Sequence, residues 1–443
     1  MTLGVLLAIL AGAVWPLAGT AGEAPLTRFL TLAEAVDHHR VAEAVAAVPA
    51  PLRALRALQA EGNQVAESIR RILAARGHPR SLAVWAARGV CVDLTDAELA
   101  SLLAEYPTLR AETLDQTAEP IRSAAVSGPV ATDRSPPPNA WSLAMSGSTA
   151  LLQERQLTGK NVLVGVIGPD LPINHPCLQG KISFAKYFGD PAHRGGTIED
   201  LMLLHPLGVL AGDSPGKFQG VAHQLSVSLA TVSRGKVNAQ ELLAAIQWVM
   251  EPFSDRKPSA ILLCLDFNGP APRPIREVLA ACRTAGILPI VPAGNVASRI
   301  TGMAALPEVL TVGALDQWKN RAGFSGIGPG VVEAVPIPKP DLAEPGVSIF
   351  GPSADGGYRY GSGTLQGAAH FAGIWAQMRQ ARPDDDIQTM LDALATTTQD
   401  LGPAGFDMET GLGLVNPVAA LYTIENPPPP PTDEYPARLA RRE

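Results

Sequence analysis

Cysteine is scarce in this sequence: the four in 443 residues, Cys91, Cys177, Cys264 and Cys282, have neither the spacing of a disulfide scaffold nor that of paired metal ligands. Basic clusters and aromatic ladders are missing as well, and with a net charge of -7 nothing points to nucleic acid as a partner. The largely apolar run Leu3 to Ala18 falls short of the roughly 20 residues of a membrane-spanning helix, so no integral membrane domain is expected. No cofactor or metal motif is legible, and neither is expected.

That first run, followed by Gly19, Thr20, Ala21 and Gly22, has the outline of a signal peptide, although no Lys or Arg precedes it and Pro16 interrupts it. Secretion or export to a periplasm is the expectation, against a cytoplasmic protein with an apolar first helix or a mis-set start. The rest divides by composition. Residues 1–25 form the apolar start, 26–115 a small α/β unit with a helical lead-in, 116–140 a flexible Pro/Ser/Ala-rich linker containing Pro136-Pro137-Pro138, 141–424 a large domain, and 425–443 a proline-rich charged tail. In the small unit a helix is expected over 65–74 and a pair of strands over 82–94. Thr95 is placed to cap a helix beginning at Asp96.

In the large domain, short apolar runs at 162–167, 225–231, 259–265, 287–291 and 309–313 read as strands covered on both faces. Stretches with helical spacing, 239–249 and 274–283, lie between them. This alternation predicts a mainly parallel sheet with helices on both faces, and a ligand cleft at the carboxyl ends of the strands.

Several collinear segments carry more information. The run Asn161 to Gly168 continues through Pro169, Asp170 and the turn Asn174-His175-Pro176. His205-Pro206-Leu207-Gly208 leads to Ala211-Gly212, and Pro292-Ala293-Gly294-Asn295 ends an apolar run. Lys339-Pro340-Asp341 precedes Pro345-Gly346-Val347, and Gly363-Thr364-Leu365-Gln366-Gly367-Ala368-Ala369-His370 opens a helical stretch. These segments resemble the subtilisin-like serine proteases (subtilases, peptidase S8), and the unit over 65–114 resembles that family's inhibitor-type propeptide. The resemblance implies a three-layer α/β/α fold with a mainly parallel central sheet, plus a small α/β propeptide-like domain. An active member removes that domain from itself; this chain is expected to retain it, docked where it caps part of the cleft.

The same alignment puts the catalytic Asp, His and Ser positions on Gly168, Met202 and Leu365. The histidine assignment depends on register: with the glycines aligned, His205 takes a structural position, whereas the alternative register makes His205 the base. Leu365 has no lone pair with which to attack and no proton to yield, so the usual mechanism fails in either register. Asn295 matches the side-chain donor to the oxyanion; it equally suits a residue that only holds its turn through its own backbone bonds. Candidates for relocated chemistry are Asp170, His205 and Cys264. The peptide cleft is expected along Cys264, Leu265, Asp266, Phe267 and Asn295, and side chains at Asp266 and Phe267, where the family carries small glycines, are expected to narrow or block it. The function expected is that of an inactive pseudoprotease that binds a peptide or protein as a scaffold component. The alternative is a serine-type endopeptidase with residual or rewired activity.

Overall fold

The computed structural model describes residues 24–32, 46, 48–122, 124–129, 139–170, 174–191, 203–253 and 256–427. The signal-like outline, the triple proline of the linker, the tail beyond Pro427 and Met202 lie outside the described residues.

The N-terminal unit is a four-stranded antiparallel sheet in the order β2-β3-β1-β4: β1 (Leu26–Leu32), β2 (Leu82–Val84), β3 (Gly89–Leu94) and β4 (Leu109–Thr113). Helix α1 (Ala50–Ala75) turns one apolar face to this sheet, burying Val65, Ile69 and Leu73 with Leu30, Val90 and Val92. Helix α2 (Asp96–Glu105) starts at a complete capping box. The Thr95 hydroxyl accepts from the Glu98 N–H, and the Glu98 carboxylate accepts from the Thr95 N–H at 2.8 Å.

Two strands follow where a linker was expected, β5 (Thr117–Pro120) and β6 (Ala125–Pro129). Composition did not disclose them because their partners are backbone groups of the large domain rather than neighbours in the sequence.

The central sheet has seven strands, all pairing in parallel. These are β7 (Leu163–Pro169), β8 (Ile182–Tyr187), β9 (Ser226–Val232), β10 (Ala260–Leu263), β12 (Leu288–Pro292), β13 (Leu310–Leu315) and β14 (Leu342–Pro345), in the spatial order β14-β13-β12-β10-β7-β9-β8. Between β10 and β12 lies β11 (Leu265–Phe267), which joins a smaller sheet. A hairpin of β15 (Ile349–Pro352) and β16 (Tyr358–Ser362) completes the strands that frame the cleft.

Every position of β7 is buried, as a strand with helices on both sides requires. One face is covered by α4 (Ala239–Met250) and α5 (Arg273–Thr284), and the other by α3 (Leu204–Ala211) and α6 (Thr364–Ala381), which is enclosed over most of its length. Packing is tight enough at Gly165 that a Cβ there would lie 2.1 Å from Val249 of α4. Helices α7 (Ile387–Thr397) and α8 (Pro417–Glu425) close the C-terminal side. In β14, Glu344 is fully buried beside Gly367 of α6, with no well-formed hydrogen bond to either carboxyl oxygen and only a loose approach from the Val415 N–H.

The N-terminal unit sits on α4 and α5. Trp85, Ala86 and Ala87 share one apolar cluster with Leu242, Ile246 and Leu279. Polar contacts ring it: Gln59 donates to Glu251 at 2.7 Å, Gln247 to the Ala83 carbonyl at 3.2 Å, and the Arg273 backbone N–H to Glu112 at 3.1 Å.

Candidate functional site

The carboxyl ends of β7, β10 and β12 meet the amino end of α6, and there Gly168 and Leu365, the two described positions to which the resemblance assigns the catalytic Asp and Ser, lie in apolar surroundings. Gly168 is the sixth residue of β7. A Cβ on it would fall 2.9 Å from Leu203 Cδ1 and 3.2 Å from Cys264 Cβ, so the space an aspartate would need is already filled. Leu365, in the first turn of α6, is 1% exposed and belongs to the same core cluster as Leu203 and Cys264. At the position that the resemblance gives to the nucleophile, hydrocarbon packs against hydrocarbon.

The histidines of the matching segments are structural in their contacts. His205 is wholly buried in α3, its Nε2 donating to the Ile349 carbonyl at 3.1 Å while Nδ1 faces the Gln366 amide at 3.5 Å. His370 donates through Nδ1 to the Gln366 carbonyl at 2.9 Å. Burial brings each imidazole down to about 4, so both are neutral near pH 7. His175 braces its turn, accepting from the Cys177 N–H at 3.2 Å and donating to the Gly357 carbonyl at 3.0 Å.

Asn295 is engaged through both ends of its amide. Its Oδ1 accepts from the backbone N–H of Thr364 at 2.8 Å and from the Thr364 hydroxyl at 3.0 Å, which fixes the amide against the start of α6. Its Nδ2 donates to the backbone carbonyl of Arg122 at 2.6 Å. The acceptor is therefore a peptide carbonyl of the chain itself.

Arg122 belongs to a segment that runs through the cleft from one side to the other. Strand β5 pairs antiparallel with β11, in the register Leu265 with Pro120, Asp266 with Glu119 and Phe267 with Ala118, and its other edge pairs with Val237–Asn238. Ile121 donates its N–H to the Cys264 carbonyl at 3.0 Å. Beyond Arg122 the Ala124 N–H reaches the Ser362 carbonyl at 2.7 Å, and β6 continues antiparallel along β16. A cavity of about 450 Å³ remains beside Arg122, lined by Phe267, Asn295 and Arg299 among others.

The side chains at Asp266 and Phe267 do not block the strand edge, contrary to expectation, because β11 pairs along its length with β5. Asp266 turns aside and accepts from Phe267, Met303 and Ala304 N–H groups at 2.7, 2.6 and 3.2 Å, capping the turn Gly302–Ala305. Burial outweighs these three bonds and pushes its carboxyl up to about 7. Cys264 is enclosed, and burial pushes its thiol well above the ordinary range, the reverse of what an attacking thiolate needs. Asp170 accepts from the Thr231 hydroxyl at 3.2 Å. The three candidates for relocated chemistry thus face different ways, His205 to Ile349, Asp170 to Thr231 and Cys264 into the apolar core, and the contacts described do not unite them in one constellation.

Residues that the sequence did not single out do much of the positioning: Thr364 holds Asn295, Leu203 fills the space at Gly168, and Arg122 supplies the carbonyl. Thr364 and Leu203 adjoin residues already marked and were reachable from the motifs. Arg122 acts through its backbone and carries no such signal.

The sequence profile described as Peptidase S8, subtilase family, matches residues 159–413, more than half of the chain. The chain is 26% identical over 295 residues to the subtilisin-like protease PopC of Myxococcus xanthus, covering 60% of this chain and 61% of that protein. It is also 26% identical over 280 residues to subtilisin DY of Bacillus licheniformis, covering 61% of this chain and 94% of the relative. The crystal structure of fervidolysin from Fervidobacterium pennivorans superposes with a TM-score of 0.62 at 19% identity, over 91% of this chain and 62% of that one. The chain thus spans about three fifths of the length of PopC and of fervidolysin.

Proposed function

The chain belongs to the subtilase family, and from that premise we propose that it is a pseudoprotease: a protease-shaped protein that binds rather than cuts, holding its own segment 117–129 in the cleft. The observation that carries this is the pairing of Leu365 with Asn295. A buried leucine stands where the resemblance puts the nucleophile, while the amide that would steady a tetrahedral oxyanion donates instead to the Arg122 carbonyl. A peptide bond held in that position and not attacked is a bound ligand. The strand edges a foreign peptide would use, β11 and β16, are engaged by β5 and β6. The partner this reading favours is accordingly a protein that recognises the assembled surface of N-terminal unit, segment and core, with the chain acting as a scaffold component.

The second reading, a serine-type endopeptidase with residual or rewired activity, draws on the relatives' names and on the placement of Asn295 against a carbonyl. One experiment separates the two. The purified full chain is followed by intact mass while it is exposed to a fluorophosphonate probe and a general peptide substrate. The pseudoprotease reading expects an uncut, unlabelled chain and turnover at background. A labelled serine, or spontaneous homogeneous loss of the N-terminal unit, overturns it.

A further inference from the structure

Two loops of the large domain, sharing no residue with the cleft contacts described above, carry large apolar side chains that stay in solvent. On the turn after β13, Trp318 is 72% exposed; on the loop between α7 and α8, Phe406 and Met408 are 40% and 37% exposed. One exposed apolar residue is ordinary on a protein surface, but three on adjoining loops mark a surface that something covers. The loops adjoin because they are tied twice. Lys319, next to Trp318, donates to the Gln399 side chain at 2.6 Å, and Arg321 donates to Glu409, next to Met408, at 3.1 Å.

The backbone beneath these side chains is already ordered. Asp316 accepts from the N–H groups of Trp318 and Asn320, both at 2.9 Å, so the turn is held by its own bonds while the indole stays outside. On either side of Phe406, Asp400 accepts from the Gly405 N–H at 2.6 Å, and Asp407 from the Glu409 and Thr410 N–H groups at 2.6 and 2.8 Å. Side chains on a fixed backbone lose little entropy when a partner covers them.

Charge says what kind of partner fits. Among the described residues, Asp316, Asp400 and Asp407 have no cation within ion-pair distance, whereas Arg321 is matched by Glu409 and Lys319 is bonded to an amide. An apolar surface with surplus carboxylates repels nucleic acid and anionic lipid and favours a cationic polypeptide. We propose that Trp318, Phe406 and Met408 form a docking surface for a protein partner, covered by apolar side chains of a segment whose lysines or arginines meet Asp316, Asp400 and Asp407. Trp318, the largest and most exposed of the three, is the anchor. This surface stands apart from either reading of the cleft.

The test is titration of the full chain with a short synthetic peptide of leucine and lysine, read by calorimetry and by tryptophan emission, with the same peptide carrying glutamate for lysine as the control. The lysine peptide is expected to bind saturably, to shift the emission to shorter wavelength and to lose affinity as salt is added, while the glutamate peptide does none of these. Trp318→Ser is expected to weaken binding more than about tenfold and to remove the emission shift, and Phe406→Ser and Met408→Ser to weaken it by roughly threefold or more each. Thermal unfolding midpoints measured alongside are expected to match the parent, since the replaced side chains are exposed. Equal binding by parent and Trp318→Ser, equal binding of the two peptides, or no binding overturns the proposal. So does an emission shift that appears with rising chain concentration and no peptide, which would give the surface to a second copy, or binding seen only after removal of residues 428–443, which would give it to the chain's own tail.

Discussion

Leu203 occupies the space that a side chain at Gly168 would need: a Cβ built there lies 2.9 Å from its Cδ1. Placing an aspartate at this position is therefore a steric and electrostatic insult to a packed core. Gly168→Asp is expected to destabilise the chain by about 1–3 kcal/mol, the usual scale of overpacking. Urea-unfolding midpoints of variant and parent measure it; an unchanged midpoint would mean that Leu203 swings away freely.

Replacing Leu365 by serine puts a hydroxyl where the resemblance places the nucleophile and adds nothing else. With no base among the described contacts, and with His205 committed to Ile349, Leu365→Ser is expected to stay unlabelled by a fluorophosphonate and to show no turnover above the parent. Loss of a triad costs about a million-fold in the best-studied case, and one hydroxyl does not recover it. Labelling of the Leu365→Ser variant at a rate like that of an active family member would show that a base lies within reach.

Asn295→Ala removes both acceptor bonds at Thr364 and the donor bond to Arg122. The expected loss is about 1–3 kcal/mol, with faster amide exchange concentrated in 117–129 because one of the anchors of that segment is gone. Exchange that rises uniformly over the domain would instead mark Asn295 as a general support of α6.

The parallel sheet could be foretold because its strands are buried on both faces and spell this out residue by residue, as Leu163 to Ile167 do. The spacing of Gly208 and Gly212 assigns His205 a structural place, and its ring is bonded to the Ile349 carbonyl; the register itself turns on position 202, which lies outside the described residues. Residues 117–129 escaped for a different reason. Strand pairing there is made by backbone groups that every residue possesses, so the sequence Thr117-Ala118-Glu119-Pro120 has no apolar alternation to announce it. Asp266 misled for a third reason: a carboxyl beside a cleft reads as an obstruction until the N–H groups of Met303 and Ala304 are known to be waiting for it.

His205 and His370 both weaken the fold on the acid side. Each is drawn from an ordinary 6.5 to about 4, so between those values the unfolded chain binds more protons than the folded one. Their contribution is complete above pH 6.5 and is lost as the pH falls through 4, on the order of 3 kcal/mol per histidine. Thermal midpoints between pH 7 and pH 4 are expected to drop less steeply in His370→Leu than in the parent.

Glu344 acts in the opposite sense. Burial raises its carboxyl well above 4.5, so the folded chain keeps a proton that the unfolded chain releases, and this contribution declines as the pH rises above 4.5. Glu344→Gln is expected to be more stable than the parent at neutral pH, with an advantage that grows as the pH rises above 4.5. A constant difference across that range would show that the side chain titrates alike in both states.

The continuity of the chain through the cleft has a kinetic and thermodynamic side. Strands β5 and β6 are joined by a few residues and are held on β11 and β16 at the same time, so each keeps the other at the site as a tethered ligand. Short tethers of this kind act as a local concentration in the millimolar range or above. A free peptide competing for the cleft must overcome that figure at both strands. Occupancy of the cleft is in this way a property of covalent continuity, and while the chain is continuous it persists even where the affinity of either strand alone would be too weak to detect.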